Sequence, residues 1–495
     1  MHQQKTDIAV LGAGFAGSLI ALILKQIGLQ VLLIEKSKHP RFAIGESSTP
    51  LANLHLEAIC EQYNLPKIRP LCKYGSWQKH YPQIACGLKR GFSYFKHDEN
   101  VAFAHSPDHG NELLVAASPN DEVSDTQWFR EHVDLLFLQE AQAAEVEYWP
   151  ETSVIKMAQS ETGWRLECEK KDGHVRVDAA FLLDATGSGA LVADALNIPS
   201  IVQNIKTRSW SVFSHFRDVR PWHDELEKAG GLVADHPFHC DHAALHHIFD
   251  DGWMWLLRFN NDVTSAGFAF AGEAPAIYNQ PEAFWQFKIR HFPSIAAQFS
   301  AASAVQPFFF APRLQRCWQQ SAGSNWAMLP HAAYFLDPLY SAGIAHTLLG
   351  LRRLAAIIEG HWQCGSLAAE LRKYSTLLQS EIAFLDQLIH GSYLAFRQFE
   401  LFTAFSMLYF AGAIFSEHAH RQGEQSPLRG FLFSDHPSFR HDANAAYNKL
   451  VSLMAQRGQT TREIEAFSQQ IADAIAPFNI AGLCHPEKKN MYPYV

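Results

Sequence analysis

Apolar and polar positions follow three different periods along the chain. A continuous apolar run at Ile8–Leu11 enters Gly12-x-Gly14-x-x-Gly17, and apolar residues then recur at helical spacing at Leu19, Ile20, Ile23 and Leu24. The run Val31–Ile34 follows and ends at Glu35. Strand, glycine turn, helix and strand predict a parallel βαβ unit. Residues 126–157 read as a helix and then a strand. Residues 163–189 read as a hairpin turning at Asp172-Gly173, then a buried strand ending at Asp184. From about 200 to 315 the period drops to two, with many Trp, Phe and His, which predicts an antiparallel sheet. Within it, "DGWMWLLRF" puts Trp253 and Trp255 on one face and Met254 and Leu256 on the other. From 343 to about 475 helical spacing dominates, and the end, "HPEKKNMYPYV", reads as an irregular tail.

The fold expected is α/β (α+β overall). Residues 1–199 and 316–350 form a discontinuous dinucleotide-binding domain, with some elements of the second domain within 75–125. Residues 200–315 form an antiparallel-sheet substrate domain and 351–495 a helical region. A length of 495 residues requires more than one core. The net charge of −9 speaks against a nucleic-acid partner. Eight cysteines without a CxxC pair read as reduced thiols in the cytoplasm, and "MHQQKTD" runs into a strand without a secretory leader. The apolar stretch 401–415 is shorter than the roughly 20 residues a bilayer crossing needs, so a buried helix is expected and membrane insertion is not.

In the glycine motif the chemistry is specific. The glycines allow a tight turn and close approach of a pyrophosphate, the helix start offers free N–H groups, and Glu35 suits a ribose hydroxyl. The segment "HPFHCDHAALHHIFDD" is rich in histidine (His236, His239, His242, His246 and His247, with Cys240). Its spacings match no tetrahedral framework, so no metal is expected; the competing readings are proton-shuttling histidines at a site mouth and ordinary surface or core histidines. There is no nucleophile elbow for a hydrolase.

Five separated segments now share one resemblance. The glycine fingerprint, "GESSTP" (45–50), "WFREHVDLLFLQEA" (128–141), "LLDATGSG" (182–189) and "FLDPLYSAGIAHTLLG" (335–350) resemble FAD enzymes of the aromatic-hydroxylase type, and among them the flavin-dependent halogenases, as a diverged member. The resemblance implies a three-layer Rossmann-like FAD domain. FAD would be held by Gly12, Gly14, Phe15, Ala16, Gly17, Glu35, Lys36, Arg41, Gly45, Glu46, Ser47, Arg130, Asp184, Gly187, His331, Asp337, Pro338, Ala342, Gly343 and Ile344. It implies a halide at Ser341, Ala342 and Gly343, and a tryptophan pair, Trp253 and Trp255, between flavin and substrate. It also implies a lysine that handles hypohalous acid, for which "LCKYGSWQKHY" nominates Lys73, with Lys79 and Lys89 as rivals. Reduced FAD would come from a separate flavin reductase. The substrate would be an electron-rich aromatic, free or tethered to a carrier protein, with chloride or bromide as co-substrate.

Three sites depart from the family pattern. Leu257-Arg258 replaces Ile-Pro after the tryptophans, and Pro330-His331 replaces a Gly-Asp pair. Tyr340 stands where tryptophan halogenases commonly have glutamate, which shifts the expected substrate toward phenols or pyrroles. The alternatives are a monooxygenase of the same superfamily that does not halogenate, and a non-catalytic FAD-binding or carrier-interacting protein.

Overall fold

The computed structural model describes residues 2–495 apart from 161, 277–279, 424–425, 428 and 457. The first sheet runs in the order Glu147–Trp149, Val31–Ile34, His2–Leu11, Gly173–Asp184, Gly163–Lys170, Ser153–Ser160, with Trp326–Met328 also beside Gly173–Asp184. His2–Leu11 is parallel to both neighbours, and its last residue, Leu11, pairs with Ile34 on one side and Asp184 on the other. Three strand ends therefore converge where the chain turns through Gly12, the position at which open α/β sheets bind ligands. Helix Phe15–Gln26 starts there, buried along Phe15–Leu24 and packed against helix Arg130–Ala143.

The second sheet runs Ser303–Ala304, Ser209–Arg217, Thr264–Ala271, Gly252–Arg258, Ala244–Ile248, Gly91–Lys96, Glu112–Ala116, Met491–Tyr492. Two of its strands, Gly91–Lys96 and Glu112–Ala116, come from within 75–125. Strands from 200–315 pair with one another antiparallel, and two parallel pairs involve segments outside that range. Ala244–Ile248 lies parallel to Gly91–Lys96, because the chain reaches it by a long excursion and not by a hairpin. The tail read as irregular adds Met491–Tyr492 parallel to Leu114-Val115. A two-residue strand is too short to show a period in the sequence.

Helices Ala342–His361, Leu367–Ala395, Phe399–Arg421, Pro437–Met454 and Thr461–Ile475 cover the two sheets. Phe399–Arg421 has 23 residues and is long and apolar enough to cross a membrane by length and composition. The length expectation from 401–415 is corrected, since polar residues extend the helix at its C-terminal end. Its apolar run, Leu401–Gly412, is buried inside the fold.

Candidate active site

At the glycine turn, Gly12 has φ of 94°, and a Cβ at Gly17 would lie 1.8 Å from the Gly12 carbonyl oxygen. Neither position tolerates a side chain. Gly14 differs: its Cβ would make only ordinary contacts with Asp134, Arg130 and Arg41 at 3.5–3.8 Å. Glu35 is buried and accepts from the Ala13 and Ser37 amides at 2.9 and 3.0 Å, with Arg41 at 3.3 Å. Lys36 beside it is exposed. Arg130 donates to Asp134 at 2.8 Å and to the carbonyls of Ile44 and Gly45 at 3.0 and 2.9 Å, and Asp134 in turn accepts from the Phe15 amide at 3.2 Å. One arginine thus ties the "GESS" loop to the turn.

A flavin dinucleotide fits these residues. Buried polar atoms facing this region have no partner: Arg41 Nε, Glu46 Oε2, Asp184 Oδ2 and His331 Nδ1. Asp184 accepts from Thr186 through Oδ1 alone, and burial pushes its carboxyl up to about 6. His331, in the place of the missing acid, contacts the Ala185 carbonyl through Nε2 at 3.0 Å, and burial pushes it down to about 4. A neutral imidazole donating from Nε2 leaves Nδ1 to accept from a hydroxyl. Gly187 is exposed, with open space around its Cα.

The "DPLYSAG" loop lies next to the lysine question. Ser341 takes a left-handed conformation (φ 53°) just before helix Ala342–His361, and Gly343 faces open space. The Ser341 hydroxyl donates to Ser47 at 3.0 Å. Lys89 donates to the same Ser47 hydroxyl at 2.8 Å and to the Ser48 carbonyl at 2.6 Å, with its amine 4.1 Å above the Phe92 ring. Lys89 is 0% exposed, and burial pushes it down to about 7. Lys73 is not brought here. It caps the short helix Tyr74–His80 with its side chain 38% exposed and pairs with Glu57 at 3.2 Å. A lysine on a solvated helix start keeps its charge in water, whereas strand Cys86–Lys89 turns Lys89 inward. Lys79 is exposed as well.

Phe92 also walls a cavity of about 80 Å³, lined in addition by Thr49, Tyr409, Phe410, Glu417 and Arg421 and bordered by the tail residues Tyr492–Val495. Glu417 and Arg421 pair at 2.9 Å at one side of it. Tyr340 stacks on Tyr409 at 4.2 Å, its hydroxyl held by Ser392 and Ser406 at 2.5 and 3.1 Å.

Trp253 and Trp255 do share a face, 5.8 Å apart and buried. Trp253 donates to the Tyr393 hydroxyl at 2.9 Å, and Tyr393 donates to Asp337 at 2.8 Å. Asp337 also accepts from Ser209 at 2.7 Å, and burial pushes it up to about 6. Trp255 donates to Ser265 at 3.2 Å, and its ring lies where a Cβ on Gly267 would stand. Pro338 and Ile344 flank this loop, Ile344 buried. Arg258, replacing the expected proline, pairs with Asp241 at 2.8 Å, a structural use away from the loop.

The histidine-rich segment disperses. Of this segment only His246 faces the tryptophans, 5.1 Å from Trp253, and burial pushes it down to about 3, which makes it too weak a base to pick up a proton near neutrality. His239 and His242 stack with each other, His247 contacts His97 across the opposite face, and His236 meets Glu112. The sequence reading missed Asp134, Tyr393 and Phe92. Asp134 alone left a signal, four residues after Arg130 on the same helix face.

A family model described as tryptophan halogenase matches residues 7–103. The monodechloroaminopyrrolnitrin halogenase PrnC of Pseudomonas fluorescens is 28% identical over 86% of this chain and 75% of its own length. Tetracycline 7-halogenase of Kitasatospora aureofaciens is 26% identical over 80% and 71%. A crystal structure of halogenase PltM in complex with phloroglucinol and FAD superposes with a TM-score of 0.88 at 24% identity, covering 98% of this chain and 99% of that one. A glycine turn with unpaired polar atoms beside it, joined to a second sheet, suits a flavin dinucleotide. Over most of its length the chain is similar to flavin-dependent halogenases, and it shares the fold of PltM.

Proposed function

We propose that the chain halogenates an electron-rich aromatic ring, phenol- or pyrrole-like, in the cavity beside Phe92, with Lys89 delivering the oxidised halogen. The observation that carries this reading is the position of Lys89. It is fully buried, bonded on one side to Ser47 and through it to Ser341, and seated on the other over a wall of the cavity. FAD, when bound and reduced by a separate flavin reductase, supplies the oxygen chemistry that converts chloride or bromide to hypohalous acid. The residues proposed to hold FAD are those of the glycine turn, Glu35, Arg41, Glu46, Asp184 and His331, and those proposed for the halide are Ser341, Ala342 and Gly343. Trp253 and Trp255 close the flavin side by shape. At about 7, Lys89 is available as a free amine near neutral pH. Its lone pair takes the halogen from HOX, an N–X bond forms as HO–X breaks, and the amine proton leaves with hydroxide as water. The ring then takes the halogen from nitrogen, the N–X bond breaking as C–X forms, and the displaced ring proton returns to nitrogen to restore the free amine. Phloroglucinol in the PltM structure is an electron-rich ring, and one relative is named as a chlorinase of a carrier-bound pyrrole, so free and carrier-tethered substrates both belong in the assay.

The test supplies reduced FAD, oxygen, bromide and an electron-rich phenol to Lys89→Ala and Lys73→Ala. Lys89→Ala should keep its flavin and still oxidise it while halogenated product falls at least about 100-fold. Lys73→Ala should stay near wild type. The opposite ranking removes Lys89 from the reaction, and hydroxylated product without halogen moves the enzyme to the monooxygenases.

A further inference from the structure

Away from the flavin site, three imidazoles converge on one carboxylate at the far edge of the second sheet. Glu112, the first residue of strand Glu112–Ala116, is 1% exposed. Its Oε2 lies 2.9 Å from His109 Nδ1 and 3.2 Å from His236 Nε2, and its Oε1 lies 3.3 Å from His105 Nδ1. All three rings are buried, their side chains between 2% and 8% exposed. The donor atoms of His105, His109 and Glu112 all fall within 4.8 Å of one another. Around a tetrahedral cation bound at about 2.1 Å, neighbouring donors stand roughly 3.4 Å apart.

His109 supplies the stronger argument. Its other nitrogen, Nε2, faces a second carboxylate, Asp235 Oδ2, at 3.3 Å. A neutral imidazole has a single N–H, so as a neutral ring His109 would set a lone pair against one of these two carboxylates. A cation at Nδ1 removes the conflict: Nδ1 ligates, and Nε2–H donates to Asp235. Carboxylate, histidine and metal in that order is how metal-bound imidazoles are usually oriented.

We propose that His105, His109 and Glu112 form a zinc site, with Asp235 orienting His109 and His236 bonded to Glu112 from outside the ligand set. Two imidazole nitrogens and one carboxylate oxygen suit zinc, with a water in the fourth position. The expectation of no metal rested on the spacing of residues 236–247, and none of the three ligands comes from that run. The site braces the tail that borders the cavity. The Asn490 side chain donates to the His109 carbonyl at 3.1 Å, and the Asn490 carbonyl accepts from the Leu114 amide at 2.9 Å, one residue before the tail strand.

Protein expressed without a metal-affinity tag is assayed for metals by plasma mass spectrometry, then stripped with chelator and titrated with Co²⁺ as an optical probe. The expected result is close to one zinc per chain, visible absorption of tetrahedral cobalt, and a lower melting temperature after stripping. His109→Ala should lose the ion. Asp235→Asn, at a half-exposed position where misfolding is not a concern, should keep normal flavin content and bind zinc about 10- to 100-fold more weakly. Wild-type protein with under a tenth of an equivalent of zinc and no cobalt spectrum would overturn the site. In that outcome His109 is an imidazolium between two carboxylates, visible as two bound ring protons by nitrogen-edited NMR.

Discussion

Strand Gly252–Arg258 presents two faces that do different work. One carries Trp253 and Trp255 into the core shared with the first sheet and the helices, and there both indoles donate hydrogen bonds. The other carries Met254 and Leu256 into a separate core with Phe95, Trp222, Phe268 and Trp285. Both faces are buried to a similar degree, so burial does not separate them. The difference is directional bonding. The tryptophan face is linked through Tyr393 to Asp337 and its loop, and the methionine face makes only non-directional contacts. A substitution on the first should alter geometry at the site, and one on the second should alter stability alone.

The largest expected effect tests the second half of that statement. Leu256 is 2% exposed, paired in register with Leu245 and Ala266. Leu256→Ala should cost about 2–5 kcal/mol of stability, through lost burial and the cavity left behind. FAD content and product ratios of the folded fraction should remain those of wild type. A changed product ratio with an unchanged melting curve would show that this face, too, shapes the site.

A pH series tests the face turned to the site. Lys89 at about 7 passes from mostly ammonium at pH 6 to mostly amine at pH 8. If the amine carries the halogen, product formation per flavin oxidised should rise about tenfold across that interval. A fall over the same range would assign the ammonium, acting as a hydrogen-bond donor to HOX. The stability sign is independent. The folded value lies below the ordinary lysine value of about 10.4, so the unfolded chain binds the extra proton and stability rises with pH from about 7 toward 10. In Lys89→Met that rise should flatten in thermal melts.

What the sequence made legible followed from short-range rules. The glycine turn, the strands on either side of it and the shared face of the tryptophans all follow from local spacing. Lys89 was harder to distinguish from Lys73 because both stand in short segments with aromatic neighbours. Their difference is burial, set by loop 45–50 and the partner strand Asp125–Trp128, far away in the chain. The same limit hid Tyr393, which reaches Asp337 from the middle of a long helix. The proposed zinc ligands His105, His109 and Glu112 do share a local spacing, but one outside the histidine-rich run 236–247 that drew the metal question.

The smallest expected change is the most discriminating for the two faces. Trp253→Phe keeps an aromatic ring on the site face and removes the indole N–H that holds the Tyr393 hydroxyl at 2.9 Å. Tyr393 keeps its own bond to Asp337, so the loop keeps its carboxylate partner. The stability cost should therefore be that of one hydrogen bond plus a partial truncation, about 1–2 kcal/mol, less than for Leu256→Ala. Asp337 should move little, because its Ser209 and Tyr393 donors remain. If the tryptophans wall the passage from flavin to substrate as proposed, the product profile should respond out of proportion to that cost. Direct oxygenation of the aromatic substrate should become detectable beside halogenation. The deciding pair is a melt and a product profile on the same variant. A stability loss matching Leu256→Ala with unchanged products would make both faces of the strand simple core.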